Sequence, residues 1–128
     1  MSTLRTNALE GVDAKNSITI VAGAGNITTT NVQEGLVKAW STASQPGTVE
    51  DSFNISSQGD GGTGDFENNL TNNMNSASGC PTGGCLANDF SAFENVTTSL
   101  INQRMISRAD SIAFTDERTY FHLTGDLA

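Results

Sequence analysis

Histidine is nearly missing from this chain: there is one, His122, in 128 residues. Cysteine and proline stand at two each, and tryptophan and tyrosine at one each. Basic residues are also few, six Lys and Arg against fourteen Asp and Glu, which sets the formal net charge at −8. Each shortage removes a class of function. Nucleophilic catalysis needs a base within reach, and the lone imidazole sits between Phe121 and Leu123, where strand alternation turns it to the opposite, solvated face. A structural zinc site takes about four ligands, and one His with two Cys supplies three at most. Cys80 and Cys85 enclose only Pro-Thr-Gly-Gly, so a bond between them would be a local staple that constrains little of the unfolded chain. The acidic balance argues against nucleic acid or an anionic membrane surface as a partner. No apolar run approaches the roughly 18 residues of a membrane span. The expectation is a chain with no catalytic residue, no cofactor and no metal, which is not inserted in a membrane.

What is present is Asn, Ser, Thr and Gly in quantity and a lean apolar supply. The hydrophobic fraction is 36%, and thirteen glycines add no side chain to bury. Such a chain gains if partner copies cover the surface that its own residues leave open. The first residues carry neither the basic nor the apolar region of a secretory signal, so the mature chain is expected to be the whole chain, made in a cytoplasm.

Residues 3–9 and 17–21 read as short extended pieces, the second with Ile18 and Ile20 on one face. A glycine-rich turn at 22–26 ends it. Asn31 or Thr30 can cap a helix that presents Val32, Leu36, Ala39 and Trp40 at i, i+4, i+7 and i+8. Polar residues 41–48, with Gln45-Pro46-Gly47, mark a subdivision. Residues 49–57 and 65–73 are expected to form a β-hairpin around the glycine-rich loop 58–64, with Val49, Phe53 and Ile55 on one face and Phe66, Leu70 and Met74 on the other strand's face. Gly61-Gly62-Thr63-Gly64-Asp65 is one position out of step with the calcium-binding glycine–aspartate repeat and does not recur, so it reads as a turn. Residues 75–89 read as a loop holding both cysteines, and 96–107 as a strand. Ile112 with Phe114, then Phe121 with Leu123, form two strands joined by a turn at Asp116-Glu117-Arg118. The fold class expected is mainly β, a small antiparallel sandwich or barrel-like domain with an extended N-terminal segment and one short helix.

The phrases Ser2-Thr3-Leu4-Arg5-Thr6-Asn7-Ala8-Leu9-Glu10, Thr29 through Trp40, Asp51-Ser52-Phe53-Asn54-Ile55-Ser56-Ser57 followed by Thr63-Gly64-Asp65, and Gly125-Asp126-Leu127-Ala128 resemble short tail-fibre-like proteins of marine and cyanobacterial phages. They touch about half the chain in the expected order. The resemblance implies a virion protein, commonly trimeric, with an N-terminal attachment segment and a C-terminal β-domain. It transfers no functional residue. The more polar second hairpin strand, Phe66-Glu67-Asn68-Asn69-Leu70, and the Cys80 to Cys85 segment depart from the pattern. The expected organisation is an attachment and oligomerisation segment at 1–40 and a β-domain at 41–128. Contacts to a second copy are expected at Leu4, Leu9, Ile18, Ile20, Val32, Leu36 and Trp40. The function expected is a tail fibre or fibre adaptor, built into the virion as a homotrimer beside other virion proteins. The alternatives are a capsid decoration protein and a module that grips host-surface glycan.

Overall fold

Over residues 39–43, 66–70 and 119–123, side chains turned towards a core alternate with more exposed ones, and the chain is extended there. A computed structural model describes residues 6, 8, 19–21, 29–31, 36–86, 89–108 and 113–125. The chain divides into two compact units, Met1–Leu36 and Val37–Ala128. In the first, β1 (Thr19–Val21) pairs antiparallel with β2 (Thr29–Asn31), Ile20 opposite Thr30. The expected turn at 22–26 and, apart from Thr6 and Ala8, the extended piece at 3–9 lie outside the described residues.

The second unit holds two antiparallel sheets. Sheet I consists of β3 (Val37–Gln45), β4 (Thr48–Phe53), β7 (Cys80–Cys85) and β11 (Thr119–Thr124), ordered β4-β3-β11-β7. Sheet II consists of β5 (Ile55–Gly62), β6 (Asp65–Leu70), β8 (Phe90–Glu94), β9 (Leu100–Ser107) and β10 (Ala113–Phe114). Within it β9 is central. Arg104 faces Asp65 of β6 across one edge and Ala92 of β8 across the other. Ile106 likewise faces Phe114 and Phe90, so β10 continues the line of β6.

Inward side chains of both sheets meet in shared clusters. Ala39, Phe121 and Leu123 of sheet I pack with Leu70, Met74 and Ile101, and Ala43 packs with Phe66 and Met105. Phe66, Ile101, Met105, Phe121 and Leu123 are wholly buried, the condition under which an apolar side chain contributes roughly 1.5–3 kcal/mol. A polar seam runs through the same interior. Asn68 is fully buried, and its Oδ1 accepts from Ser41 Oγ of the facing sheet and from Gln58 Nε2, each at 3.0 Å. Gln103, also fully buried, donates from Nε2 to Ser91 Oγ at 2.8 Å and to the Tyr120 carbonyl at 3.2 Å. These bonds tie β6 to β3 and β9 to β11, so they hold the two sheets in one alignment.

Several expectations are corrected. There is no helix among the described residues, and residues 37–40 of the expected helix lie in β3. Its inward positions are Ala39, Ser41 and Ala43, whose small side chains let Phe66 and Phe121 close over them, and a helix would have scattered those positions around its axis. Gln45-Pro46-Gly47-Thr48 is the tight turn between β3 and β4, with Pro46 at its first central position and Gly47 at φ 74° at the second, the arrangement of a type II turn. The expected hairpin of 49–57 with 65–73 holds in part: β5 pairs antiparallel with β6, Ile55 opposite Leu70, but its first strand is broken at Asn54. There the chain takes φ 58°, and β4 stays in sheet I while β5 enters sheet II. Asn54 holds this corner: its Nδ2 donates to the Lys38 carbonyl at 2.9 Å, and its Oδ1 accepts from the Asn72 N–H at 2.7 Å. Val49 and Phe53 therefore do not continue into Ile55 as one face. The glycine-rich stretch 58–62 is strand, and the turn shrinks to Thr63-Gly64. The Cys80 to Cys85 segment is likewise strand, β7, at the edge of sheet I, where Pro81 is tolerated. Phe114 and Phe121 lie in different sheets, so 115–118 is a crossover and not a hairpin turn.

Candidate functional site

With the large inward positions filled, what remains is the outward side of each sheet. In sheet I the register sets Phe53, Trp40, His122 and Thr82 in one row across all four strands. The next row in the same direction is Asp51, Thr42, Tyr120 and Gly84. Strands stand about 4.8 Å apart, so Phe53, Trp40 and His122 form a strip of rings roughly 10 Å long. Phe53 is 52% exposed and Tyr120 38%. Trp40 is half-buried and His122 exposed. Asp51 is exposed beside Phe53, with one carboxylate oxygen accepting from the Ser52 N–H at 2.8 Å.

The outward side of sheet II is graded. Near the start of β9, Asn102 lies between Glu67 and Glu94. One step along, the Arg104 guanidinium reaches Asp65 at 3.2 Å and Glu94 at 3.4 Å. Asp65 also accepts from Asn102 Nδ2 at 3.3 Å. The aspartate of the expected glycine turn is thus engaged by an arginine and an amide. Beyond Arg104 the surface turns apolar, with Phe90, Ile106 and Phe114 in one row. Phe90 is 56% exposed and Phe114 52%. The Arg104 guanidinium lies 5.2 Å from the centre of the Phe114 ring, and that of Arg108 lies 5.2 Å from the Phe90 ring. Such stacking is worth about 0.5–1 kcal/mol at exposed sites. Phe90, Ile106, Ser107 and Arg108 line an open cleft of about 430 Å³. Arg104 has two carboxylates beside it, whereas Arg108 makes no ion pair among the described residues.

The cysteines sit on opposite sides of β7. Cys80 is exposed, while Cys85 is directed inward, next to Ala43, Phe66 and Met105. Five residue steps of extended chain set them roughly 16 Å apart, far beyond the reach of a disulfide, and neither cysteine is in a disulfide. The staple considered from their spacing therefore does not form within β7. Burial pushes the Cys85 thiol above its ordinary pKa, and the Asp89 and Glu117 carboxylates push the same way, against a backbone hydrogen bond at Asp89 that lowers it. Among the described residues, no three His, Cys, Asp or Glu side chains are grouped to hold a metal.

Of the residues expected at a subunit contact, Trp40 lies at the centre of the ring strip on sheet I, and Leu36 is 57% exposed in the first unit. Ile20 is in β1, opposite Thr30. Leu4, Leu9, Ile18 and Val32 lie outside the described residues. Sequence reasoning missed Phe53 and Tyr120 as companions of Trp40, and it missed the row Phe90, Ile106 and Phe114. Both sets join residues far apart in the chain, which only strand register brings together. No protein-family model, curated protein or solved structure matches the chain.

Proposed function

We propose that this chain is a structural protein of a tailed-phage particle, of the tail-fibre or fibre-adaptor type, that acts without catalysis by associating with copies of itself and with neighbouring virion proteins. The observation that carries the reading is the outward ring strip of sheet I, Phe53, Trp40 and His122 with Tyr120 beside them. Aromatic rings kept in water forgo roughly 25 cal/mol for each Å² that a partner would cover, and aromatic residues are enriched at the centres of interfaces. The phage setting rests on the resemblance of the sequence phrases, and so does a trimer as the assembly. Residues ahead of β3 attach the protein to the particle, and the sandwich forms the outward domain.

The flat strip favours one rival. A row of rings with Thr42, Thr82 and Asp51 alongside also suits a host-surface glycan, whose C–H faces stack on rings while its hydroxyls bond to the rim. Light scattering on the wild type and on Phe53→Ser separates the two. Self-association is expected in the wild type at micromolar concentration and should be weakened in the variant, with an unchanged β signal in circular dichroism. A monomeric wild type that binds a glycan array through Phe53 would replace this reading. Immunogold labelling of purified particles tests the location, and label on the capsid surface instead of the tail would favour a decoration protein.

A further inference from the structure

The two outward surfaces of the sandwich are different, and each has what the other lacks. Sheet I presents protruding rings with a carboxylate beside them: Phe53 and Asp51 are two residues apart on the same side of edge strand β4. Sheet II presents a recess with a guanidinium beside it: the cleft between Phe90 and Ile106, with Arg108 at its margin. That guanidinium has an aromatic face under it and makes no ion pair among the described residues, the Asp89 carboxylate accepting instead from the Arg108 backbone N–H at 3.0 Å, in a chain of net charge −8 where acidic groups outnumber basic ones. The cleft, at about 430 Å³, is in the size range of pockets that enclose a small molecule, so it has room for an aromatic side chain.

From this match in shape and charge, the geometry points to a head-to-tail contact in which the ring strip of sheet I of one copy docks on the Phe90 and Ile106 cleft of sheet II of the next, with Asp51 of the first meeting Arg108 of the second. The inference rests on the self-association proposed above and supplies its contact. Two unlike patches on the opposite outward sides of the sandwich make a heterologous interface, which repeats into a ring or an open stack. A trimer is one such ring. The same arrangement explains why neither aromatic row needs a cover within one copy: each is the complement of the other on a neighbour. Polar and charged groups at the margin set which face meets which, because a like-charge pairing of two sheet I faces would place Asp51 against Asp51.

The test uses sedimentation velocity on the full-length protein. Phe90→Ser and Arg108→Glu change exposed residues on sheet II and leave the sheet I strip intact, yet each should raise the concentration needed for half-association roughly tenfold. Asp51→Arg should weaken association to a similar degree, and combining Asp51→Arg with Arg108→Glu in one chain should recover most of the loss. Mixing Phe53→Ser with Phe90→Ser, at a concentration where neither variant assembles alone but the wild type does, should give one-to-one dimers and nothing larger, because a single intact pair of faces remains. Circular dichroism of every variant should match the wild type, which separates lost docking from lost fold. If the wild type associates but the sheet II changes have no effect, or the charge reversal is not rescued, the head-to-tail contact is wrong while self-association stands. A wild type that stays monomeric at high micromolar concentration overturns both.

Discussion

Sheet I and sheet II distribute their large side chains in opposite ways. Sheet I turns Ala39, Ser41, Ala43 and Gly83 inward along β3 and β7, leaves the inward bulk to Phe121 and Leu123, and holds Trp40, Phe53 and Tyr120 outside. Sheet II turns Phe66, Leu70, Ile101 and Met105 inward and meets water with ion pairs and one short apolar row. The stability of the sandwich therefore rests on sheet II and on β11. The exposed rings of sheet I, Phe53 and Tyr120, bury less within one copy, and in the proposed assembly their contribution would come on contact with another. A residue's size does not say which task it serves; the side of the sheet on which it falls does.

Changes to the interior should have the largest effects. Phe121→Ala removes a wholly buried ring that packs 6.2 Å from the Phe93 ring, centre to centre, and should cost about 3–5 kcal/mol, read as a fall in the urea midpoint. In a domain of this size that is a large part of the total stability. Asn68→Ala should cost about 1–3 kcal/mol, because the Ser41 hydroxyl and Gln58 amide would lose their shared acceptor inside the sandwich. If Asn68→Ala were as stable as the wild type, the polar seam would not hold the sheets in register.

Outward changes should sharpen the contrast from the other side. Phe53→Ser, measured where the protein is dissociated, should move unfolding stability by no more than about 0.5 kcal/mol, although it weakens association. A loss as large as that of Phe121→Ala would mean that the outer ring belongs to the folding core. The two thiols offer a subtler probe of inside against outside. Cys80 is exposed on the outer side and should react with iodoacetamide well before Cys85, whose thiol is pushed up by burial. The folded state then keeps the Cys85 proton to higher pH than the unfolded chain does. Its contribution to stability is thus full below the ordinary thiol range and falls as pH rises through the raised value. Unfolding curves of Cys85→Ser across that range should lose part of the alkaline slope seen in the wild type.

How much of this was legible in the sequence follows from what marks a strand. The alternation of Phe66, Leu70 and Met74, and of Phe121 and Leu123 around His122, was readable because large residues stand on one side, and all five of these apolar residues are buried while His122 is exposed. In β3 the inward residues are small or polar, so Val32, Leu36, Ala39 and Trp40 matched helical spacing better than strand spacing. The glycine-rich β5 and β7 show no periodicity because glycine marks no face. Their glycines make sense only against partner strands: Gly59 and Gly61 leave space for the Glu67 and Asp65 side chains, and Gly83 lets Gln103 and the Tyr120 carbonyl come close. The sequence singles out Trp40 as an expected contact residue, but its neighbours in the row come from β4 and β11, and no local pattern joins residues 40, 53 and 122.

Trp40 is the only tryptophan and lies in the middle of the ring strip, so its fluorescence reports directly on whether that strip is covered when copies meet. The wild type should be measured over a concentration series in parallel with its sedimentation mass. The account predicts that the emission shifts to shorter wavelength as the mass rises, with the two transitions at the same midpoint. Assembly with an unmoved Trp40 emission would contradict it, because the copies would then be meeting somewhere other than the aromatic face of sheet I.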